Sequence, residues 1–186
     1  MDLIKGPVIM INAAIVGLGW WGQVLTRSVN GKSSKLKVTK GFTRTPDNAA
    51  EFVKELGVEL HDNYDDLLAD NDIDAVILAT PHSSHVEQIK LAAEAKKHIY
   101  VEKPLALTLS ETKEAISSAR SSGVEIAVGF QRRGHPSMAA ALGAVKEIKF
   151  RRNGQTYLNL FDPLAKRYCD SQVKIQLFSS VPGGVV

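Results

Sequence analysis

The run Ala75-Val76-Ile77-Leu78-Ala79 is apolar at every position. A strand with one wet face alternates apolar and polar residues, so a strand without alternation is buried on both faces. Burial of that kind is found in parallel sheets covered by helices above and below. The rest of the chain fits such a sheet. Strands are expected at Val8 to Val16, Leu36 to Phe42, Val58 to Leu60, His98 to Val101 and Val124 to Phe130. Amphipathic stretches fall between them: from the glycine turn to Val29, Pro46 to Leu56 before Gly57, and Tyr64 to Ala69. Ser83 to Lys96, Ser110 to Ser122 before Gly123, and Pro136 to about Glu147 continue the series. Glycine just past a periodic stretch is a helix stop. The fold class is therefore α/β, a doubly wound parallel sheet.

After Ile148 the alternation ends. Residues 1–148 are read as one nucleotide-binding domain and 149–186 as an unplaced tail. Of the 23 Lys and Arg and 20 Asp and Glu in the chain, the last 38 residues hold 6 and 2. The tail is therefore +4 and residues 1–148 are −1, so the chain's net +3 comes from the tail. No basic cluster alternates with aromatics, so nucleic acid is not an expected partner. No apolar run approaches the ~20 residues that cross a bilayer. Asp2 and Gly6-Pro7 interrupt what a signal peptide would need. A single cysteine, Cys169, excludes an internal disulfide and points to a reducing, cytoplasmic setting.

Gly17-Leu18-Gly19-Trp20-Trp21-Gly22 matches G-x-G-x-x-G, directly after an apolar strand and at the start of a helix. Gly17 permits the tight turn, Gly19 lets backbone approach a pyrophosphate, and Gly22 lets helix pack on strand. Free N–H groups at the helix start then meet the phosphates. Trp20 and Trp21 are carried as loop contacts, although packing is the commoner role of tryptophan. The alternative is a plain glycine-rich turn without a ligand.

An NAD site places Asp or Glu at the end of the second strand, to accept hydrogen bonds from the ribose 2′-hydroxyl. No acidic residue occurs between Asp2 and Asp47. The strand runs instead into Thr43-Arg44, a hydroxyl and a guanidinium suited to a 2′-phosphate. NADP is the preferred cofactor on this reading, with NAD as the alternative. An ordinary solvated arginine is the competing account of Arg44.

Three more clusters close expected strands: Thr80-Pro81-His82-Ser83-Ser84-His85, Glu102-Lys103-Pro104 and Gly129-Phe130-Gln131-Arg132-Arg133. Open α/β sheets bind ligands at such carboxyl ends. Together with the glycine loop, these motifs resemble the Gfo/Idh/MocA family of NAD(P)-dependent oxidoreductases over Ala13 to about Glu147. Glu102-Lys103-Pro104 is similar to the family's Glu-Lys-Pro motif, His85 to the His after Thr-Pro, and Gly129 to Arg133 to its Gly-Phe-x-x-Arg segment. The resemblance implies hydride transfer between nicotinamide and a hydroxyl-bearing carbon of a sugar, cyclitol or similar small alcohol. It makes Lys103 the catalytic residue that moves the hydroxyl proton, a task that needs a lysine with its pKa brought towards neutrality. Thr80, Pro81, His85, Glu102, Lys103 and Arg132 join the cofactor-binding set, with no metal ligand expected. A capping or packing role for His85 and a structural role for Glu102 stand as alternatives.

Members of the family carry a second α/β substrate domain, which mediates oligomer contacts; here it is absent or truncated. A frameshifted or truncated coding sequence, or a genuine short protein, accounts for the tail. The competing functions are a module that binds NADP without turnover and an inactive product.

Overall fold

The computed structural model describes residues 10–130 and 136–138, together with the backbone of 151–152 and 155–156. The chain divides into two compact units, Met1–Gly129 and Phe130–Val186. In the first, six strands form one sheet: β1 Ile11–Val16, β2 Leu36–Phe42, β3 Glu59–Leu60, β4 Ala75–Leu78, β5 His98–Val101 and β6 Ile126–Val128. Every pairing is parallel and the order is β3-β2-β1-β4-β5-β6. The chain starts in the middle, winds outward to β3, then returns to β4 and winds the other way. This is a doubly wound Rossmann sheet, and its switch point lies between β1 and β4.

Five α-helices connect the strands: α1 Trp20–Val29, α2 Ala50–Leu56, α3 Tyr64–Ala69, α4 His85–Glu94 and α5 Leu109–Ser122. They bury two apolar clusters, one on each face of the sheet. Ala14, Val16, Val76 and Leu78 face α3, α4 and α5 through Leu67, Ile89, Ala92, Ala115 and Ala119. Ala13, Ile15, Ala75 and Ile77 face the other way, with Val38, Phe52 and Val58. Alternate residues of β1 and β4 thus serve opposite cores, which explains why neither strand contains a polar residue in its central positions.

Most expected elements appear within a residue or two, and the exceptions have local causes. Pro46 to Leu56 is not one helix. A 3-10 turn over Pro46–Ala49 leads into α2, because Pro46 starts the turn and Asp47 and Asn48 favour local side-chain bonding over regular helix. Gly57 closes α2 in the left-handed region at φ 63°, the position where a side chain would be strained. Ser83 to Lys96 also opens with a 3-10 turn, His82–Ser84, before α4. The cap of α5 is Thr108, two residues earlier than the expected Ser110 start. Its hydroxyl accepts the Glu111 N–H while the Glu111 carboxylate accepts the Thr108 N–H, a reciprocal capping box.

In the second unit, β7 Arg151–Arg152 and β8 Gln155–Thr156 pair antiparallel, and 136–138 are helical. The remainder of the expected Pro136 helix and the strands read at Tyr157 to Phe161 and Val173 to Phe178 lie outside the described residues. Among the described residues no helix is long and apolar enough to cross a membrane.

Candidate functional site

The strand register places the sequence motifs side by side. Val16 lies opposite Phe42 and Leu78, Leu78 opposite Val101, and Val101 opposite Val128, so five strands end at one level. One further backbone bond extends each pairing: Gly17 N–H to Phe42 O, Ala79 N–H to Val16 O, Glu102 N–H to Leu78 O and Gly129 N–H to Val101 O. Beyond this line the chain leaves the sheet as Gly17-Leu18-Gly19, Thr43-Arg44, Thr80-Pro81 and Lys103-Pro104. Parallel topology is what gathers these segments, distant in sequence, on one edge.

A groove opens at the switch point. Gly17, Leu18 and Gly19 form its floor with Ala79, while Thr43, Arg44 and Thr45 border it on one side and Thr80, Pro81, Ser84 and Gln88 on the other. Phe42 completes the lining. No carboxylate lies among these residues. The glycines meet their three expected demands in different ways. Gly17 has φ +93°, and a Cβ there would stand 2.6 Å from Ala79 O. A Cβ on Gly22 would stand 2.0 Å from Gly17 O, so helix and loop touch backbone to backbone. A Cβ on Gly19 would meet nothing within 4 Å. Its missing side chain therefore leaves open space where α1 begins.

That helix start is prepared for an anion. Gly19 caps α1 without a side-chain bond, and the first turn contains no acidic residue. The helical ladder begins with Gln23 N–H to Gly19 O, which leaves the preceding N–H groups without intrahelical acceptors. Partial positive charge at the helix start and an uncrowded Gly19 fit a bridging pyrophosphate. The residues present fit the chemistry of a dinucleotide: a helix start without acidic side chains and a groove lining without a carboxylate.

Several expected contacts stand elsewhere. Trp20 is 76% exposed at the first helical position, with its ring centroid 5.4 Å from that of Trp21. The Trp21 indole N–H is buried and has no hydrogen-bond partner among the described residues. Neither ring lines the groove. Lys103 is exposed, two residues beyond the end of β5, and is not among the groove's lining residues. Glu102 is buried, accepting the Lys103 N–H at 3.2 Å and the Tyr100 hydroxyl at 3.4 Å. Burial first, and then the Glu102 charge, push the Tyr100 hydroxyl up to about 12. Gly129 is what leaves room for this pair, since a Cβ there would stand 2.5 Å from Tyr100 Oη and 2.7 Å from Glu102 Oε1. His85 is fully buried, with Nδ1 2.8 Å from Pro104 O and Nε2 3.0 Å from Thr80 O. Arg132 lies outside the described residues.

The sequence reading missed Gln88, Thr45 and Tyr100. Gln88 accepts the Thr80 hydroxyl on its side-chain oxygen and sits one turn after His85 on the same helix face. That i, i+3 spacing was the available signal. Tyr100 lies two residues before Glu102, and alternation along an extended chain puts both on one side.

Comparison with known proteins decides the family. The GFO_IDH_MocA model, an oxidoreductase family with an NAD-binding Rossmann fold, matches residues 11–130. The chain belongs to this family. A Gfo/Idh/MocA relative, scyllo-inositol 2-dehydrogenase (NAD(+)) of Bacillus subtilis, is 38% identical over 133 residues, which are 70% of this chain and 39% of that one. Among solved structures, scyllo-inositol dehydrogenase from Lactobacillus casei, with bound NAD(H) and scyllo-inositol, superposes with a TM-score of 0.68. It is 30% identical and the match covers 73% of this chain and 41% of that one. KijD10, a 3-ketoreductase from Actinomadura kijaniata in complex with NADP and TDP-benzene, gives 0.70 at 26% identity, covering 74% and 42%. The chain thus spans about two fifths of the length of these Gfo/Idh/MocA relatives, and the matched part is their nucleotide-binding fold.

Proposed function

We propose that this chain binds NADP in the switch-point groove and supplies the proton-transfer lysine of an oxidoreductase acting on a sugar, cyclitol or related small alcohol. The observation that carries the cofactor choice is the lining at the end of β2: Thr43, Arg44 and Thr45 border the groove, with no carboxylate among the lining residues. A guanidinium pairs with a 2′-phosphate, while a carboxylate in its place would repel one. The reaction class is supported by family membership and by the relatives named above, which act with NAD or NADP.

When bound, nicotinamide takes or gives the hydride. The chain's own residues do the rest. Backbone N–H groups at Gly19 and the start of α1 hold the phosphates. Thr80, fixed by its bond to Gln88, and Pro81 border the nicotinamide end. Lys103 follows β5, the strand next to β4. In the oxidative direction its neutral amine takes the hydroxyl proton as the C–H bond gives up hydride. In the reductive direction its ammonium returns that proton to the carbonyl oxygen.

The test uses two variants. Lys103→Met is expected to keep NADPH binding, read by fluorescence titration, and to lose substrate-dependent NADPH formation by at least about 100-fold. Arg44→Ala is expected to weaken NADPH binding about 10-fold to 100-fold and NADH binding little. Binding with no turnover of any polyol by the unaltered chain would replace the enzyme by a cofactor-holding module. Equal losses for both nucleotides in Arg44→Ala would remove the NADP preference.

A further inference from the structure

We propose that Gln88 reads a base of the dinucleotide, its side-chain amide pairing with an NH2 group that stands beside a ring or carbonyl acceptor. Gln88 lines the switch-point groove from α4, and its Oε1 accepts the Thr80 hydroxyl at 2.5 Å. A carboxamide offers two N–H donors and two acceptor lone pairs. Thr80 takes one lone pair. Among the described residues nothing accepts from Nε2. Both N–H groups and the second lone pair of a groove residue are therefore left for a ligand.

The amide is held in place from two directions. The Gln88 backbone oxygen accepts the Tyr64 hydroxyl of α3 at 2.9 Å, and the next residue, Ile89, is fully buried. The side chain is tied through Thr80 to the end of β4, where the Ala79 N–H bonds to Val16 O. A fixed donor and acceptor lose little freedom when a partner arrives. The other polar side chains of the lining do not offer this pattern. Thr43, Thr45, Thr80 and Ser84 carry single hydroxyls, and the Arg44 guanidinium can only donate. Gln88 alone among the lining side chains sets a donor and an acceptor in one plane. A phosphate, which accepts only, does not use both. Two groups of a nicotinamide dinucleotide do: the adenine N6 amine beside N7, a partner that glutamine amides pair with, and the nicotinamide carboxamide. Phe42 and Pro81 add apolar surface to the same lining for the ring that bears such an edge.

The pairing rests on the proposed dinucleotide site, and its test is a calorimetric titration of the full chain with three nucleotides. They are NADP, its hypoxanthine analogue, in which oxygen replaces the adenine NH2, and its 3-acetylpyridine analogue, in which methyl replaces the carboxamide NH2. The unaltered chain is expected to bind one of the two analogues at least about 10-fold more weakly than NADP. A gap with the hypoxanthine analogue puts Gln88 on adenine, and a gap with the 3-acetylpyridine analogue puts it on nicotinamide. Gln88→Met keeps the length without hydrogen-bonding groups, and should close that gap to within about 2-fold by weakening NADP. Gln88→Asn keeps an amide that ends one methylene short and should close it too, which covers a Met variant that fails to fold. Both analogues bound as tightly as NADP overturn the proposal, as does a gap that survives the substitutions. Equal binding of all three nucleotides leaves the dinucleotide site standing and removes only the role of Gln88. No binding of any of them removes the site and the role together.

Discussion

The two sides of the switch point are built on different principles. On the β1 side the site is made of backbone brought into contact with backbone: Gly17 against Ala79 O, and Gly22 against Gly17 O. On the β5 side it is made of buried polar side chains: Glu102 holding the Lys103 N–H, Tyr100 holding Glu102, and His85 bridging to Thr80 and Pro104. The first arrangement forms a rigid cradle for something that must be approached closely. The second suspends an exposed lysine on a network whose members carry protons. On the proposed function, the first would hold a large anion still and the second would position the group that moves a proton.

The comparison breaks most sharply at Gly22. Alanine there places a methyl group 2.0 Å from the Gly17 backbone oxygen, so backbone must shift. Gly22→Ala is expected to cost about 3 kcal/mol or more, read as a lowered urea midpoint. Gly19→Ala sharpens the contrast. Its Cβ enters open space at an ordinary backbone φ of −66°. The midpoint should stay within about 0.5 kcal/mol, while NADPH binding weakens because the methyl occupies the phosphate approach. Equal unfolding by both substitutions would show that the loop's glycines serve packing alone.

On the β5 side the largest effect should come from Glu102. Glu102→Ala leaves the Lys103 N–H and the Tyr100 hydroxyl without their acceptor and opens a cavity, for an expected loss of about 2 kcal/mol. Tyr100→Phe removes one 3.4 Å bond and should cost less, about 0.5 kcal/mol. A Tyr100→Phe loss as large as that of Glu102→Ala would mean that the tyrosine, not the carboxylate, carries the loop.

This difference in construction also decides what the sequence could reveal. Glycines at fixed offsets after an apolar strand are a local pattern, so the cradle, the strand ends and the parallel sheet were all readable. Thr43 and Arg44 followed from their place at the end of β2. The network was only partly readable: Lys103, Glu102 and Tyr100 bond within two positions of one another, but the bond that ties them to α4 does not. His85 reaches Pro104 across 19 positions, and nothing local distinguishes a ring bonded to two carbonyls from one that caps a helix. Trp20 and Trp21 show the converse. Their place inside the glycine motif suggested contacts, yet neither ring reaches the groove that the loop backbone lines. The cap of α5 was misplaced for a simpler reason: Thr108 and Ser110 are both good caps, and only the reciprocal bond to Glu111 selects Thr108.

That cap gives the next prediction in size. Thr108→Ala removes the hydroxyl that accepts the Glu111 N–H and should cost about 1 kcal/mol of stability. Ser110→Ala, at a position inside the helix, should cost almost nothing, and the reverse order would restore Ser110 as the cap. Because α5 begins shortly after Lys103, the same variant shows whether the lysine loop depends on its following helix. A loss of stability without change in NADPH affinity would mean that it does not.

The smallest effect lies at the far edge of the β1 side, and it depends on pH. Asp70 accepts the Asp72 N–H at 2.8 Å, and its other oxygen lies 3.2 Å from His61 Nε2 and 3.8 Å from Lys40 Nζ. The backbone bond from Asp72 is the main reason its carboxyl is held below the ordinary value of 3.8, with His61 and Lys40 adding to it and partial burial opposing it. A carboxylate whose pKa is lower in the folded chain than in the unfolded one stabilises the fold above the unfolded value. That contribution is lost as pH falls through 3.8 and then through the lower folded value. Asp70→Asn keeps the shape and a carbonyl acceptor but not the charge. The urea midpoints of the two chains should therefore differ at about pH 6 and converge towards about pH 3. A gap that persists unchanged in acid would mean that Asp70 acts by shape rather than by charge. The β3 edge would then be held, like Gly17 and Gly22, by backbone geometry alone.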